Sequence, residues 1–153
     1  MEITVREAAA ADRAIILDLG KRTIVSSASE IRPASQRDLE RGYERLVTFV
    51  RDQSHVILIA ESSMEKLGFL IMLDKVPDEV SGAPQAFVAY MAVEPHVRRH
   101  GVARVLLRGA EETASERGLS ALALMVTESN REARELYAQA GFTTERRLLV
   151  KAL

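Results

Sequence analysis

Residues 93–107 read VEPHVRRHGVARVLL, and the fold turns on how this stretch is parsed. It follows an apolar, β-prone run at residues 86–93, turns at Pro95, gathers Arg98, Arg99 and His100 ahead of Gly101, and continues as an amphipathic helical pattern. A helix start carries unpaired backbone N–H groups and the positive end of the helix dipole. Small residues at Gly101 and Ala103 let a phosphate approach that backbone, so the stretch reads as an anion cradle for a pyrophosphate.

On its C-terminal side, Val102, Val105, Leu106, Gly109, Ala110 and Thr113 share one helical face, which stops at Gly118. Residues 121–126, ALALMV, then read as a buried strand. A helix separates it from the strand at residues 85–93, so the two are expected to be parallel, as a βαβ unit. Ser129 and Glu132 have capping-box spacing ahead of a helix with Ala133, Leu136, Tyr137 and Ala140 on one face and Gly141 at its end. Residues 142–153 are expected to supply one or two closing strands.

On the N-terminal side, Ile3 and Val5 alternate with polar residues as a first strand, and Asp12 is placed to cap a helix carrying Ile15, Ile16 and Leu19. Residues 23–33 are rich in Ser and lack a period, which marks a loop. Leu39, Tyr43, Leu46, Val47 and Val50 predict a helix over residues 35–52. Two apolar runs, residues 56–60 and 67–73, fit a hairpin, and residues 77–84 form a loop.

A chain of 153 residues fits one domain, residues 1–153, with a core that needs no staples. With 47% hydrophobic and 28% charged residues it is an ordinary globular composition. The absence of cysteine excludes disulfides, thiolate metal sites and a cysteine nucleophile. A net charge of −1 argues against a nucleic-acid partner, which would need many phosphate contacts. No apolar run reaches the ~20 residues of a membrane helix and no signal-peptide pattern is present, so the expected setting is cytoplasmic, away from membranes.

The cradle lacks the Lys-Ser/Thr pair of a P-loop and the three glycines of a dinucleotide fingerprint. What remains is Arg98-x-x-Gly101-x-Ala103, followed about one βαβ unit later by Asn130 and Tyr137. Here the sequence resembles the GNAT superfamily of acyl-CoA-dependent N-acetyltransferases. The family's pyrophosphate motif, Q/R-x-x-G-x-G/A, is matched by Arg98, Gly101 and Ala103. Its downstream motif, an Asn, then A-x-x-L-Y, then G-F, is matched by Asn130, Ala133, Leu136, Tyr137, Gly141 and Phe142.

The resemblance implies an α/β (α+β) fold: a mixed, mostly antiparallel central sheet with a splayed parallel strand pair and helices on both faces. It implies acetyl-CoA as the acetyl donor co-substrate, with pantetheine along the backbone of Met91, Ala92 and Val93. Pyrophosphate would lie on the N–H groups of Arg99, His100, Gly101, Val102, Ala103 and Arg104, with charge from Arg98 or Arg99, and Asn130 and Ala133 would border the donor near Tyr137. Tyr137 is the implied acid for the leaving thiolate.

Where some relatives carry a strand-borne base, this chain has only Tyr90 in the central strand and Met125 in the next, which leaves Glu94, Glu128, Glu61 or a water. His55, His96 and His100 lack metal-site spacing, so no metal is expected. The implied reaction moves an acetyl group directly to a primary amine of a small molecule or peptide. Glu30, Asp78 and Glu79 are loop acids available to a cationic acceptor. The rival is a non-catalytic acyl-CoA-binding or sensing module, and the resemblance also carries an expectation of a homodimer formed through the closing strands.

Overall fold

In the computed structural model, which describes residues 1–153, the hairpin of β2 (His55–Glu61) and β3 (Lys66–Leu73) forms the middle of the sheet. β3 is buried from Leu67 to Leu73 because both of its faces are covered, and this is why LGFLIML contains no polar side chain. β1 (Thr4–Glu7) and β4 (Ala86–Val93) flank the hairpin antiparallel, and β5 (Leu122–Leu124) adds to β4 in parallel, giving the order β1-β2-β3-β4-β5. The expected mixed sheet with its parallel pair is present.

Helix α3 (Val102–Glu116) lays Val102, Leu106, Leu107, Ala110 and Ala114 on one face of the sheet against Leu58, Leu70, Met72 and Val88. Helices α1 (Arg13–Thr23) and α2 (Gln36–Arg51) cover the other face, where Ile16, Leu19, Tyr43 and Val50 meet Ile59, Phe69 and Ile71. Helix α4 (Arg131–Gln139) packs Leu136 and Tyr137 on the edge of the α3 cluster.

Four local expectations change. The strand expected over residues 121–126 pairs only at residues 122–124 and is half-buried, because it is an edge strand with β4 on one side alone. The N-cap of α4 is Asn130, whose side chain accepts from Ala133 N–H at 3.2 Å, in place of the Ser129–Glu132 box. Residues 142–153 form no strand, and all but Phe142 are exposed. The charged run Glu145, Arg146 and Arg147 interrupts their alternation, Arg146 is held by Asp78 at 2.7 Å, and β5 offers only a three-residue edge. Residues 23–33 are also not wholly irregular, since residues Ile24–Ser27 make a 3-10 turn.

Asp12 precedes α1 as expected, but its side chain turns away from the helix. Fully buried, it accepts from Ala9 N–H at 2.7 Å, from the Arg6 guanidinium at 2.7 and 3.0 Å, and pairs with Lys66 at 2.8 Å. Arg6 also binds Glu61 at 2.8 and 3.1 Å, so one charge cluster joins β1, β2, β3 and the entry to α1. The Arg6 hydrogen bonds hold the Asp12 carboxyl well below the usual carboxylate range. Asp12→Asn should therefore lower stability at neutral pH by about 2–3 kcal/mol, read from the urea midpoint. That is less than a fully desolvated pair would cost, because Arg6 and Lys66 keep 37% and 33% of their side-chain surface in water. Because the folded-state pKa lies below the unfolded value of ~3.9, the wild-type contribution is complete above about pH 4 and fades as pH falls through the folded value. The Asn variant should lack that part of the acid-side loss.

Candidate active site

The site begins with one unpaired residue in β4. Ile71 pairs with Tyr90 and Met72 with Val88, so Ala89 has no partner on β3 and forms a bulge. β5 pairs with residues 86–88 and no further, so the parallel strands part where the bulge lies. The bulge also inverts the backbone. Ala86 N–H bonds outward to Ala121 O at 2.9 Å, whereas at the far end Glu94 N–H bonds inward to Leu67 O at 2.8 Å. By the alternation of an antiparallel ladder, the N–H and C=O groups of Met91 and Val93 then face the gap between β4 and β5. Side chains follow the same shift: Ala89, Tyr90 and Ala92 face the α1/α2 side, and Met91 and Val93 the α3 side.

Directly after β4, residues Pro95–Val97 make a 3-10 turn that leads into the cradle. Arg99 and Gly101 both adopt positive φ, 64° and 87°, and Gly101 is the N-cap of α3. Gly101 has open space where a Cβ would sit, so the backbone angle is what requires glycine there, independently of any close approach by a ligand. The first bond into the helix is Val105 N–H to Gly101 O at 3.1 Å, and no N–H of residues 99–104 has a protein acceptor. Arg98 and Arg99 are exposed and make no ion pair. His100 is exposed as well, and Arg104 is tied to Gln139 of α4. A run of free donors at a helix N-terminus beside two unpaired guanidiniums fits a pyrophosphate, and the free strand edge at Met91 and Val93 fits an extended amide chain.

Tyr137 lies on α4, half-buried, with its ring edge-on to Phe142 at 5.8 Å and no hydrogen-bond partner on its hydroxyl. Burial first, and Tyr90 second, raise its pKa, so the phenol keeps its proton at neutral pH. Asn130 and Ala133 are engaged in the α4 cap, and Asn130 also donates to Ser26 O at 3.3 Å while Thr127 donates to Ser27 O at 2.7 Å. These bonds close the far wall of the gap against the turn after α1.

The carboxylates expected as bases are placed elsewhere. Both oxygens of Glu94 are taken by Arg22, at 2.8 and 3.1 Å, Glu61 is taken by Arg6, and the Glu128 side chain is 92% exposed beside Arg134. The Arg22–Glu94 pair spans 72 residues of sequence, and no local pattern announces it. Met125 is 69% exposed at the mouth of the gap. No cluster of three or more His, Cys, Asp or Glu side chains is arranged to hold a metal ion, and His96 is paired with Glu65 at 2.8 Å. No helix is long and apolar enough to cross a membrane. An apolar cavity of about 270 Å³ between α1, α2 and β2 lies at the opposite end of the sheet from the cradle.

These features agree with comparisons to known proteins. The model of the acetyltransferase (GNAT) family matches residues 23–142. An uncharacterized N-acetyltransferase of Bacillus subtilis (strain 168), YhfO, is 33% identical over 105 residues, covering 69% of this chain and 70% of its own. Among solved structures, a protein of Pyrococcus furiosus assigned as an acetyl transferase superposes with a TM-score of 0.84 at 25% identity, covering 99% of this chain and 100% of its own. AAC(6')-Iy, solved with the bisubstrate analog CoA-S-monomethyl-acetylneamine, shares the fold at a TM-score of 0.72 and 17% identity, with 100% of this chain and 99% of its own covered. A family match over most of the chain, on a fold that sets a donor-lined helix start beside a splayed strand pair, shows that this chain belongs to the GNAT family of acetyltransferases.

Proposed function

We propose that the protein transfers an acetyl group directly from acetyl-CoA to a primary amine of a small molecule or peptide. The observation that carries this reading is the convergence of three unsatisfied features on one gap: the N–H run of residues 99–104, the outward edge at Met91 and Val93, and the free hydroxyl of Tyr137. The binding of a CoA-based bisubstrate analog by AAC(6')-Iy supports the choice of donor.

In this reading residues 99–104 and Arg98 anchor the pyrophosphate, and the backbone of Met91 to Val93 aligns the pantetheine. Asn130 and Ala133 keep the α4 wall in place. An N–H at the strand edge polarises the thioester carbonyl as an oxyanion hole does. As the C–N bond forms and the C–S bond breaks, Tyr137 donates a hydrogen bond to the departing sulfur. At ordinary values of ~10 for a phenol and ~8.5 for a thiol, full proton transfer would cost about 2 kcal/mol, and burial of Tyr137 widens the gap. Its contribution is therefore a charge-assisted hydrogen bond to the thiolate, with the final proton drawn from solvent. Glu94 and Glu61 are held by arginines and Glu128 is in solvent, so the amine loses its proton to water.

Tyr137→Phe should reduce turnover about 10- to 100-fold at saturating substrates, the worth of one hydrogen bond to a charged group, and leave the acetyl-CoA dissociation constant within about threefold. Unchanged turnover would remove Tyr137 from the chemistry. Gly101→Val, which strains a backbone at φ 87°, should weaken acetyl-CoA binding by about tenfold or more in calorimetry. Thiol release across a panel of amines tests the function itself: acetyl-CoA binding without release for any acceptor would make this a binding or sensing module.

The expected homodimer also belongs to this proposal. No closing strands form, but Leu148 and Leu149 of that segment are 74% and 87% exposed, which supports an apolar contact between two copies there. Sedimentation should show a dimer that Leu148→Asp with Leu149→Asp converts to monomer; a wild-type monomer at tens of micromolar would discard it.

A further inference from the structure

Tyr90 stands immediately after the bulge, on the α1/α2 side of the gap, with its ring against Tyr43 at 5.0 Å and Phe69 at 6.2 Å. Its hydroxyl lies 2.8 Å from Thr23 Oγ1, and Thr23 is buried at the end of α1. The direction of that bond can be worked out. Thr23 also lies 2.8 Å from Leu19 O and 3.4 Å from Gly20 O, carbonyls that only accept. A threonine hydroxyl has one proton, which the helix carbonyl takes, so the proton in the Tyr90–Thr23 bond belongs to Tyr90. The phenol oxygen of Tyr90, which also has the Ser27 hydroxyl beside it, then has one lone pair left for a further donor and no proton to offer.

Tyr137 is the opposite case, with its proton uncommitted, and it lies on the α3 side of the same gap. An attacking amine uses its lone pair on the acyl carbon and points its N–H bonds away from it. A hydroxyl that donated to the nitrogen would occupy the lone pair needed for attack. A hydroxyl that only accepts would aim it.

We propose that Tyr90 is the hydrogen-bond acceptor that orients the incoming amine, and that Thr23 is a positioning residue which acts by holding the Tyr90 proton away from the amine. This rests on the acetyltransferase reading of the gap. Tyr90 keeps its proton throughout: the C–N bond forms, the C–S bond breaks, and the proton lost by the amine passes to water.

The test uses the full chain with Tyr90→Phe, Thr23→Val and Thr23→Ser, measuring KM for the amine, kcat, and the acetyl-CoA dissociation constant. Tyr90→Phe should raise the amine KM about tenfold, with acetyl-CoA affinity within about twofold of wild type. Thr23→Val, which frees the phenol proton, should impair amine use in the same direction, and Thr23→Ser should restore it. An unchanged amine KM and kcat in Tyr90→Phe would overturn the proposal. Equal damage from Thr23→Ser and Thr23→Val would assign Thr23 to packing alone and overturn its positioning role. If Thr23→Val fails to fold, Tyr90→Phe decides. Wild-type protein that binds acetyl-CoA and acetylates no amine overturns the acetyltransferase reading and this proposal together. Wild-type transfer with an unaltered Tyr90→Phe overturns this proposal alone.

Discussion

One extra residue in β4 governs the architecture of the site. Were Ala89 paired in a regular ladder instead of bulged, Met91 and Val93 would bond inward to β3, and the edge facing β5 would end in a different set of groups. The bulge also puts Ala89 and Tyr90 on the same face, which brings a phenol to the α1/α2 side and leaves Met91 and Val93 against the α3 cluster. The parting of β4 from β5 is then a consequence of backbone geometry, because a strand that has changed parity cannot continue a parallel ladder in the same register. Backbone groups that elsewhere in the sheet are spent on the fold are here left without a protein partner.

Charge is arranged with the same division. Asp12, Glu61 and Glu94 sit at strand or helix ends around the site, and each is bound by an arginine, Arg6 for the first two and Arg22 for the third. These pairs fix the walls: Arg22 joins α1 to the end of β4, and Arg6 joins β1 to β2 and the turn before α1. In contrast, Arg98 and Arg99 are unpaired where six consecutive N–H groups, those of residues 99–104, also lack acceptors. Carboxylates held by arginines brace the walls, and the cradle carries unpaired guanidiniums. An anion entering the cradle meets a favourable field there.

Local features of this design were legible in the sequence, and long-range ones were not. The 3.6-residue period of α2 and α3, the apolar runs of β2 and β3, and the glycine ending the cradle all act over a few residues, and each element lies where it was expected within a residue or two. The β5 strand was overestimated because ALALMV reports apolarity and cannot report that only one neighbour exists. The strands expected over residues 142–153 do not form for the related reason that a strand needs a partner edge of sufficient length. Ser129 and Asn130 are both good caps one residue apart, and only the geometry chose between them. In the site, the cradle could be read directly, whereas the capture of Glu94 by Arg22 and of the Tyr90 proton by Thr23 depends on helix α1 packing against β4.

The loss of the carboxylate candidates bears on which acceptors suit the proposed reaction. When no enzyme base takes the proton, the amine must arrive neutral, and the cost of that at pH 7 is set by its own pKa. For a lysine-like amine near 10.4 the cost is about 4–5 kcal/mol, and for an α-amino group near 8 it is about 1–1.5 kcal/mol. The difference is roughly a hundredfold or more in the fraction of amine that arrives neutral. A single accepting phenol oxygen, such as that of Tyr90, stabilises a neutral N–H and gives only part of the solvation an ammonium requires. On the proposed reading, a gap with Met91, Val93 and Tyr137 on one side and Tyr90 on the other would select against the charged form twice, once in solution and once on entry. If the proposed base-free transfer holds, weakly basic primary amines are the acceptors it would favour.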